Sequence, residues 1–260
     1  MYKKRFNLKY VNIDLKKNLF SSQTKNYVKK FIKLEKKNDS TIIEIHNRPS
    51  YIQILSKEIK RKIFTLYFHN DPLSMSGSQT IQERKNLLKT CYKIIFNSSW
   101  SKKRFLEGLE NKFVNSDKLL IFHQSASRGS INLINKKEKW ITFVGKLNKA
   151  KGYDVFASSI KKILNKYPEW EAKIIGDEKR EKITLSHNRA HILGFKKHNE
   201  VLSIFKKTSI AVACSRWEEP FGRTSLEASA NGCAVIITNK GGLPETVTDA
   251  KILKRLNQYY

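Results

Sequence analysis

Two glutamates, Glu219 and Glu227, stand eight residues apart in the run Trp217-Glu-Glu-Pro-Phe-Gly-Arg-Thr-Ser-Leu-Glu227. Pro220 and Gly222 mark a turn, and Thr224 to Ala230 has the composition of a helix. That pattern places Glu219 on the loop ahead of the helix and Glu227 about one turn into it. The unpaired N–H groups around Phe221 to Thr224 then point outward at the helix N-terminus, where a phosphate can bind. An ionised carboxylate accepts from two neighbouring O–H groups, so glutamates beside such a site suit sugar hydroxyls. Taken alone, the same two residues could simply complement the helix dipole.

Two further segments point to the same place. Gly241-Gly-Leu-Pro-Glu245 follows an apolar run and reads as a glycine-rich turn opening a helix. Val144-Gly-Lys-Leu-Asn-Lys-Ala-Lys-Gly152 follows another. In a parallel sheet, loops that follow strands share the C-terminal edge and converge on one crevice. Lys146 and Lys151 would carry positive charge to a diphosphate held there.

The elements that must position these loops alternate along the chain. Gln23 to Lys37 has helical periodicity. Thr41–Ile45, Lys62–Phe68, Lys93–Phe96 and Lys118–Phe122 read as strands, with helices near Tyr51–Lys60 and Gln79–Lys89. Asn97-Ser98-Ser99 offers an N-cap for one more helix. Asn132 to Lys139 is polar and suits a linker. After it come strands at Trp140–Val144, Ala172–Ile175, Ala190–Leu193, Ile210–Ala213 and, last, Ala234–Ile237. Helices at Tyr153–Lys166, Val201–Lys207 and Gly222–Asn231 separate most of them. Strands joined by helical crossovers make parallel sheets covered on both faces. The expectation is an α/β chain of two Rossmann-like lobes, residues 1–135 and 136–260, with a ligand cleft between them.

The chain has 260 residues, 40% of them apolar, enough for two modest cores. No stretch is long and apolar enough for a membrane span. Met1 to Tyr10 is basic but lacks the apolar region of a signal peptide, so the expected location is cytoplasmic. Cys91, Cys214 and Cys233 have no metal-ligand spacing and read as core residues. The formal charge of +28 would recruit polyanions of any kind. Lys25, Lys29, Lys30, Lys33, Lys36 and Lys37 recur at helical spacing, which fits a solvated face. The alternatives are peripheral contact with an anionic membrane, on its cytoplasmic face, and a basic nucleic-acid-binding protein.

From Trp140 to Glu245 the sequence resembles the donor-binding lobe of family 4 glycosyltransferases, retaining enzymes of the GT-B fold. Their signature is E-x7-E within an E-P-F-G-x-x-x-x-E run, followed by G-G-x-x-E. Both stand here, at Glu219–Glu227 and Gly241–Glu245. The family's V-G-R-L-x-x-x-K-G loop matches Val144 to Gly152, with Lys146 where Arg is usual and Lys151 in place. Lys lacks the bidentate fork of Arg.

The resemblance implies a GT-B architecture, two Rossmann-like lobes with parallel sheets facing across a cleft. It also implies roles for single residues. Gly145, Lys146 and Lys151 would bind the donor diphosphate, and Glu219 the transferred sugar. The amides of Phe221 and Gly222 would hold a phosphate, and Glu227 the ribose hydroxyls. The Gly194-Phe195 turn lies where the family's base-binding loop runs. His46-Asn-Arg and His69-Asn-Asp resemble histidine-bearing loops of the acceptor lobe. That makes His69 the catalytic candidate beside Glu219, with His46 and Arg48 as acceptor-side candidates.

The implied activity is transfer of a sugar, with retention, from a nucleoside-diphosphate sugar to a hydroxyl acceptor. The donor is a co-substrate, and no cofactor is expected. No convincing D-x-D loop is present, so no metal is expected either. A glycan or glycolipid acceptor and cell-envelope synthesis fit the family, and no nucleic-acid partner is expected. The family's opening strand with its glycine-rich loop, and its closing crossover helices, have no match here. A chain shortened at both ends and weakened in transfer is therefore expected, the alternative being a non-catalytic remnant that binds nucleotide or a partner.

Overall fold

The computed structural model describes residue 13 and residues 23–38, 40–127 and 137–253. The basic stretch Met1 to Tyr10, residues 132–136 of the expected linker and the expected lobe boundary lie outside the described residues. The chain divides into two compact units. The first holds residues up to Phe68, Pro72–Ile95 and Phe105–Leu120; the second holds His69–Asp71, Phe96–Arg104 and the residues from Ile121 onward.

The elements of the first half are α1 (Gln23–Asn38), β1 (Ile42–His46), α2 (Pro49–Glu58), β2 (Ile63–Phe68), α3 (Ile81–Thr90), β3 (Lys93–Phe96), α4 (Ser99–Leu106) and β4 (Leu119–Ile121). The strands form one sheet in the order β1-β2-β3-β4, with β1 and β2 parallel. Helix α1 buries Val28 and Ile32 and leaves Lys25, Lys29, Lys30, Lys33, Lys36 and Lys37 exposed, as a solvated lysine face requires. Helix α2 begins at Pro49, ahead of the expected Tyr51, because proline is tolerated in the first turn where its missing N–H has no partner to lose. Helix α3 is set by a capping box. Thr80 Oγ1 accepts from the Glu83 amide at 3.1 Å, and Glu83 Oε2 accepts from the Thr80 amide at 3.0 Å.

The second unit is built on β5 (Glu138–Val144), α5 (Tyr153–Lys166), β6 (Glu171–Ile175), β7 (Ala190–Ile192), α6 (His198–Lys207), β8 (Thr208–Ala213), α7 (Arg223–Ala230), β9 (Ala234–Thr238) and β10 (Lys251–Leu253). Its six strands run in the order β10-β9-β8-β5-β6-β7, and all the pairings are parallel. On one face Tyr153, Phe156, Ile160 and Leu164 of α5 cover Ile141, Phe143 and Ile174. Elsewhere Val201 and Phe205 of α6 and Ala228 of α7 pack with Ile175, Val235 and Ile237. The chain leaves β5 toward β6 on one side and later returns to β8 on the other. Loops that diverge at such a switch point leave a crevice at the carboxyl ends of the strands.

Three local expectations are corrected. Ala234–Ile237 is not the last strand, since β10 extends the sheet beyond β9. Three residues carry no periodicity, so only their pairing defines that strand. The segment after Gly241-Gly242 is a single 3₁₀ turn, Leu243–Thr246, rather than a helix. Strand β5 begins at Glu138, inside the expected linker. There Lys137 Nζ donates to the carbonyls of Phe205, Lys206, Thr208 and Asn231 at 2.9–3.2 Å, closing the C-terminal ends of α6 and α7. No helix among the described residues is long and apolar enough to cross a membrane.

Candidate functional site

The crevice at the β5/β8 switch point holds a pocket of about 340 Å³. Its floor is Phe143, Val144 and Gly145 from β5 and the loop that follows, with Ala213 at the end of β8. One wall carries Lys151, Glu219, Pro220, Phe221 and Gly222, continued by Arg223, Thr224 and Ser225 at the start of α7. His69, Asn70, Asn97 and Gln124 form the other wall, all within the same unit.

Two loops make the first wall, and backbone bonds tie them together. The Ala150 carbonyl accepts from the amides of Arg216 and Trp217 at 2.9 and 3.0 Å and from Ser215 Oγ at 3.1 Å. Cys214 Sγ donates to the Gly152 carbonyl at 3.2 Å. Burial pushes the Cys214 thiol up to about 12, so it serves here as a small packed donor, not as a nucleophile. Lys151 is oriented by its own amide, which donates to Asn148 Oδ1 at 3.0 Å. Its ammonium pairs with Glu219 Oε1 across the pocket wall.

The second glutamate is arranged in the same way. Glu227 is buried, and its Oε1 accepts from Arg223 Nη2 at 2.8 Å and meets His198 Nε2 at 3.1 Å. Lys151 and Arg223 are the pocket's lysine and arginine among the described residues, and each is held by one of the two glutamates. Gly222 is the residue before α7, at φ 98°, and the backbone there turns the Phe221 to Thr224 stretch onto the pocket. A loop amide run, a helix start and two cations, each paired with a glutamate, are groups of the kind that suit an anion.

The turn at Gly241-Gly242 supports this wall from behind. The Gly242 amide donates to the Glu219 carbonyl at 2.6 Å, and the Gly241 amide to Glu218 Oε2 at 2.6 Å. Gly241 sits at φ 58°, and a Cβ there would stand 2.2 Å from the Glu219 carbonyl oxygen. Glycine at this position is thus required twice, by conformation and by contact.

On the opposite wall the His69 carbonyl accepts from Asn97 Nδ2 at 2.9 Å, and His69 Nδ1 lies 3.3 Å from Gln124 Nε2. The expected site residues are therefore divided. Gly145, Lys151, Glu219, Phe221, Gly222 and His69 line one pocket. Lys146 is exposed and Glu227 stands behind Arg223; neither lines it. His46 and Arg48 line a different hollow, within the first unit, where the His46 ring stacks on Tyr67 at 4.4 Å. Phe195 is 76% exposed beside Gly194 and also lies outside the pocket lining.

Sequence reasoning missed Arg223, Asn97 and Gln124. Arg223 had a signal, a cation at the first position of a helix that offers amides to phosphate. Asn97 was read only as part of an N-cap run and Gln124 had no signal, because long-range packing alone brings both to His69.

The profile of the family described as "Glycosyl transferases group 1" matches residues 128–258, half of the chain. The chain belongs to the group 1 glycosyl transferases. Among its relatives, "Spore coat protein SA" of Bacillus subtilis is 23% identical over 244 residues, covering 83% of this chain and 64% of its own length. "Lipopolysaccharide core biosynthesis mannosyltransferase LpsB" of Rhizobium meliloti is 28% identical over 137 residues, 49% of this chain and 38% of its own. This chain thus spans less than two thirds of either relative. The crystal structure of Anabaena Alr3699/HepE in complex with UDP and glucose superimposes with a TM-score of 0.65 at 17% identity, covering 91% of this chain and 70% of that one. The fold class is that of GT-B glycosyltransferases, α/β with parallel sheets.

Proposed function

We propose that this group 1 glycosyl transferase is a retaining enzyme of family 4, moving a sugar from a nucleoside-diphosphate sugar to a hydroxyl acceptor. The observation that carries the proposal is the pocket wall itself. Lys151, Glu219, the Phe221–Thr224 backbone and Arg223 line one cavity at a sheet switch point. Donor cleavage leaves negative charge on the departing diphosphate. Lys151, Arg223 and the amides at the start of α7 share the wall beside that charge, and the two cations would exchange their glutamate partners for it. No metal is invoked in this scheme.

Glu219 would take the hydroxyls of the transferred sugar, and Glu227, behind Arg223, the ribose. His69 would face the reacting sugar from the other wall. HepE, whose structure holds UDP and glucose, and LpsB, named for lipopolysaccharide core synthesis, support a nucleotide-sugar donor and an envelope glycan or glycolipid acceptor. Peripheral contact with an anionic membrane would use the exposed lysine face of α1, which fits a solvated face equally.

Calorimetric titration with UDP, GDP and ADP and their common sugar conjugates is the direct test. One nucleoside diphosphate should bind, its sugar conjugate should be cleaved, and the product should keep the anomeric configuration of the donor. Binding without cleavage would favour a nucleotide-binding remnant. Absence of binding across the panel would sink the donor assignment.

A further inference from the structure

Glu245 closes the G-G-x-x-E motif yet lies outside the pocket lining. Its carboxylate reaches the start of α4. Oε2 accepts from the Ser99 amide at 2.7 Å and Oε1 from the Trp100 amide at 3.0 Å, while His123 Nε2 lies 3.1 Å from Oε2. A helix start is normally closed by its own N-cap, and α4 has one, since Ser98 Oγ accepts from the Ser101 amide at 3.0 Å. Glu245 adds an acid more than a hundred residues distant in sequence, whose charge also suits the helix dipole.

What this second cap fixes is visible one residue earlier. Ser98 Oγ donates to the Pro220 carbonyl at 2.6 Å, inside the Glu219-Pro220-Phe221-Gly222 run. Gly242 fills the corner between them, for a Cβ there would meet the Pro220 oxygen at 2.5 Å and Ser98 Oγ at 2.9 Å. His123 stacks on Phe221 with ring centroids 5.6 Å apart. Next to Ser98, Asn97 holds the His69 carbonyl. The Ser98–Pro220 bond thus joins the two walls, and Glu245 braces it from both sides, through the start of α4 and through His123.

We propose that Glu245 is a positioning residue: through α4, Ser98 and His123 it sets the Glu219–Gly222 run at its distance from His69. The inference rests on the donor-site reading for its catalytic meaning, but the mechanical coupling stands apart from it. A pre-set wall lets amides and carboxylate meet charge without reorganising.

Glu245→Gln keeps the shape of the side chain and one acceptor, but turns an NH2 toward the other amide. In the full chain, hydrogen exchange should quicken tenfold or more at the Phe221 to Leu226 amides as well as at Ser101 to Arg104, with β5 and β6 unchanged. Ser98→Ala should speed the Phe221 to Leu226 amides in the same way, and the double variant should add little to either single change. If exchange at Phe221 to Leu226 stays at the parent rate in Glu245→Gln, the coupling is absent and Glu245 is a helix cap only. With a donor that the parent protein cleaves, kcat should fall at least tenfold while the nucleoside diphosphate KM moves less than threefold. Parent-like kcat with quickened exchange would overturn the catalytic role. A parent that neither binds nor cleaves any donor would overturn the donor-site reading, while the exchange experiment still decides the coupling.

Discussion

Lys151 and Glu219 form an ion pair across the pocket wall, although they come from loops that follow different strands, β5 and β8. Both side chains are only partly exposed, 35% and 13%. Each charge compensates the other, which lowers the cost of holding both in a partly dry site. On the proposed donor site, an arriving diphosphate would compete for the ammonium and free the carboxylate for sugar hydroxyls.

Lys151→Ala should therefore weaken nucleoside diphosphate binding by about 1.5–3 kcal/mol, roughly tenfold to a hundredfold, the value of a hydrogen bond to a charged group. The loss should shrink as salt is raised, because part of it is screened charge. Calorimetry at two ionic strengths checks this, and unchanged affinity at low salt would remove Lys151 from the site.

The two glutamates should separate by role. Glu227→Ala frees Arg223 and His198 and, on the proposed role, removes a ribose acceptor, so it should weaken the bare nucleoside diphosphate by about 1.5–3 kcal/mol. Glu219→Ala should leave that affinity nearly intact and lower sugar transfer. Equal effects of both changes on both measurements would end the division.

Gly241→Ala should be severe for its size. Alanine at φ 58° costs about 1–2 kcal/mol, and crowding the Glu219 carbonyl adds about 1–3 kcal/mol. Thermal melting should drop, and nucleotide affinity should fall with it because the Phe221 and Gly222 amides, in the same run as Glu219, move too. A melting curve matching the parent would show that the turn yields freely.

All three cysteines should resist thiol reagents at pH 8. Burial pushes Cys91 and Cys214 up to about 12 and Cys233 up to about 11, so the reactive thiolate is a trace species there. Labelling should appear only on denaturation. Rapid labelling of the folded chain at any one of them would contradict its burial.

The helix near Gln79–Lys89 and the alternation of strand and helix were legible because they depend on neighbours in sequence. The same holds for the exposed lysine face of α1 and for the glycine-rich loops. The turn and helix of the Glu219–Glu227 run were legible too, since Pro220, Gly222 and the residues after them signal both locally. Partners were not. Nothing local says that Lys151 meets Glu219, that Glu227 stands behind Arg223 instead of lining the pocket, or that Lys146 points to solvent. Strand β10 and the Glu245 cap were equally hidden. Sequence order fixes backbone conformation over a few residues, through propensity, capping and periodicity. Which distant side chains share a pocket is decided by sheet order and crossover, and those are settled only when the whole hydrophobic core packs at once.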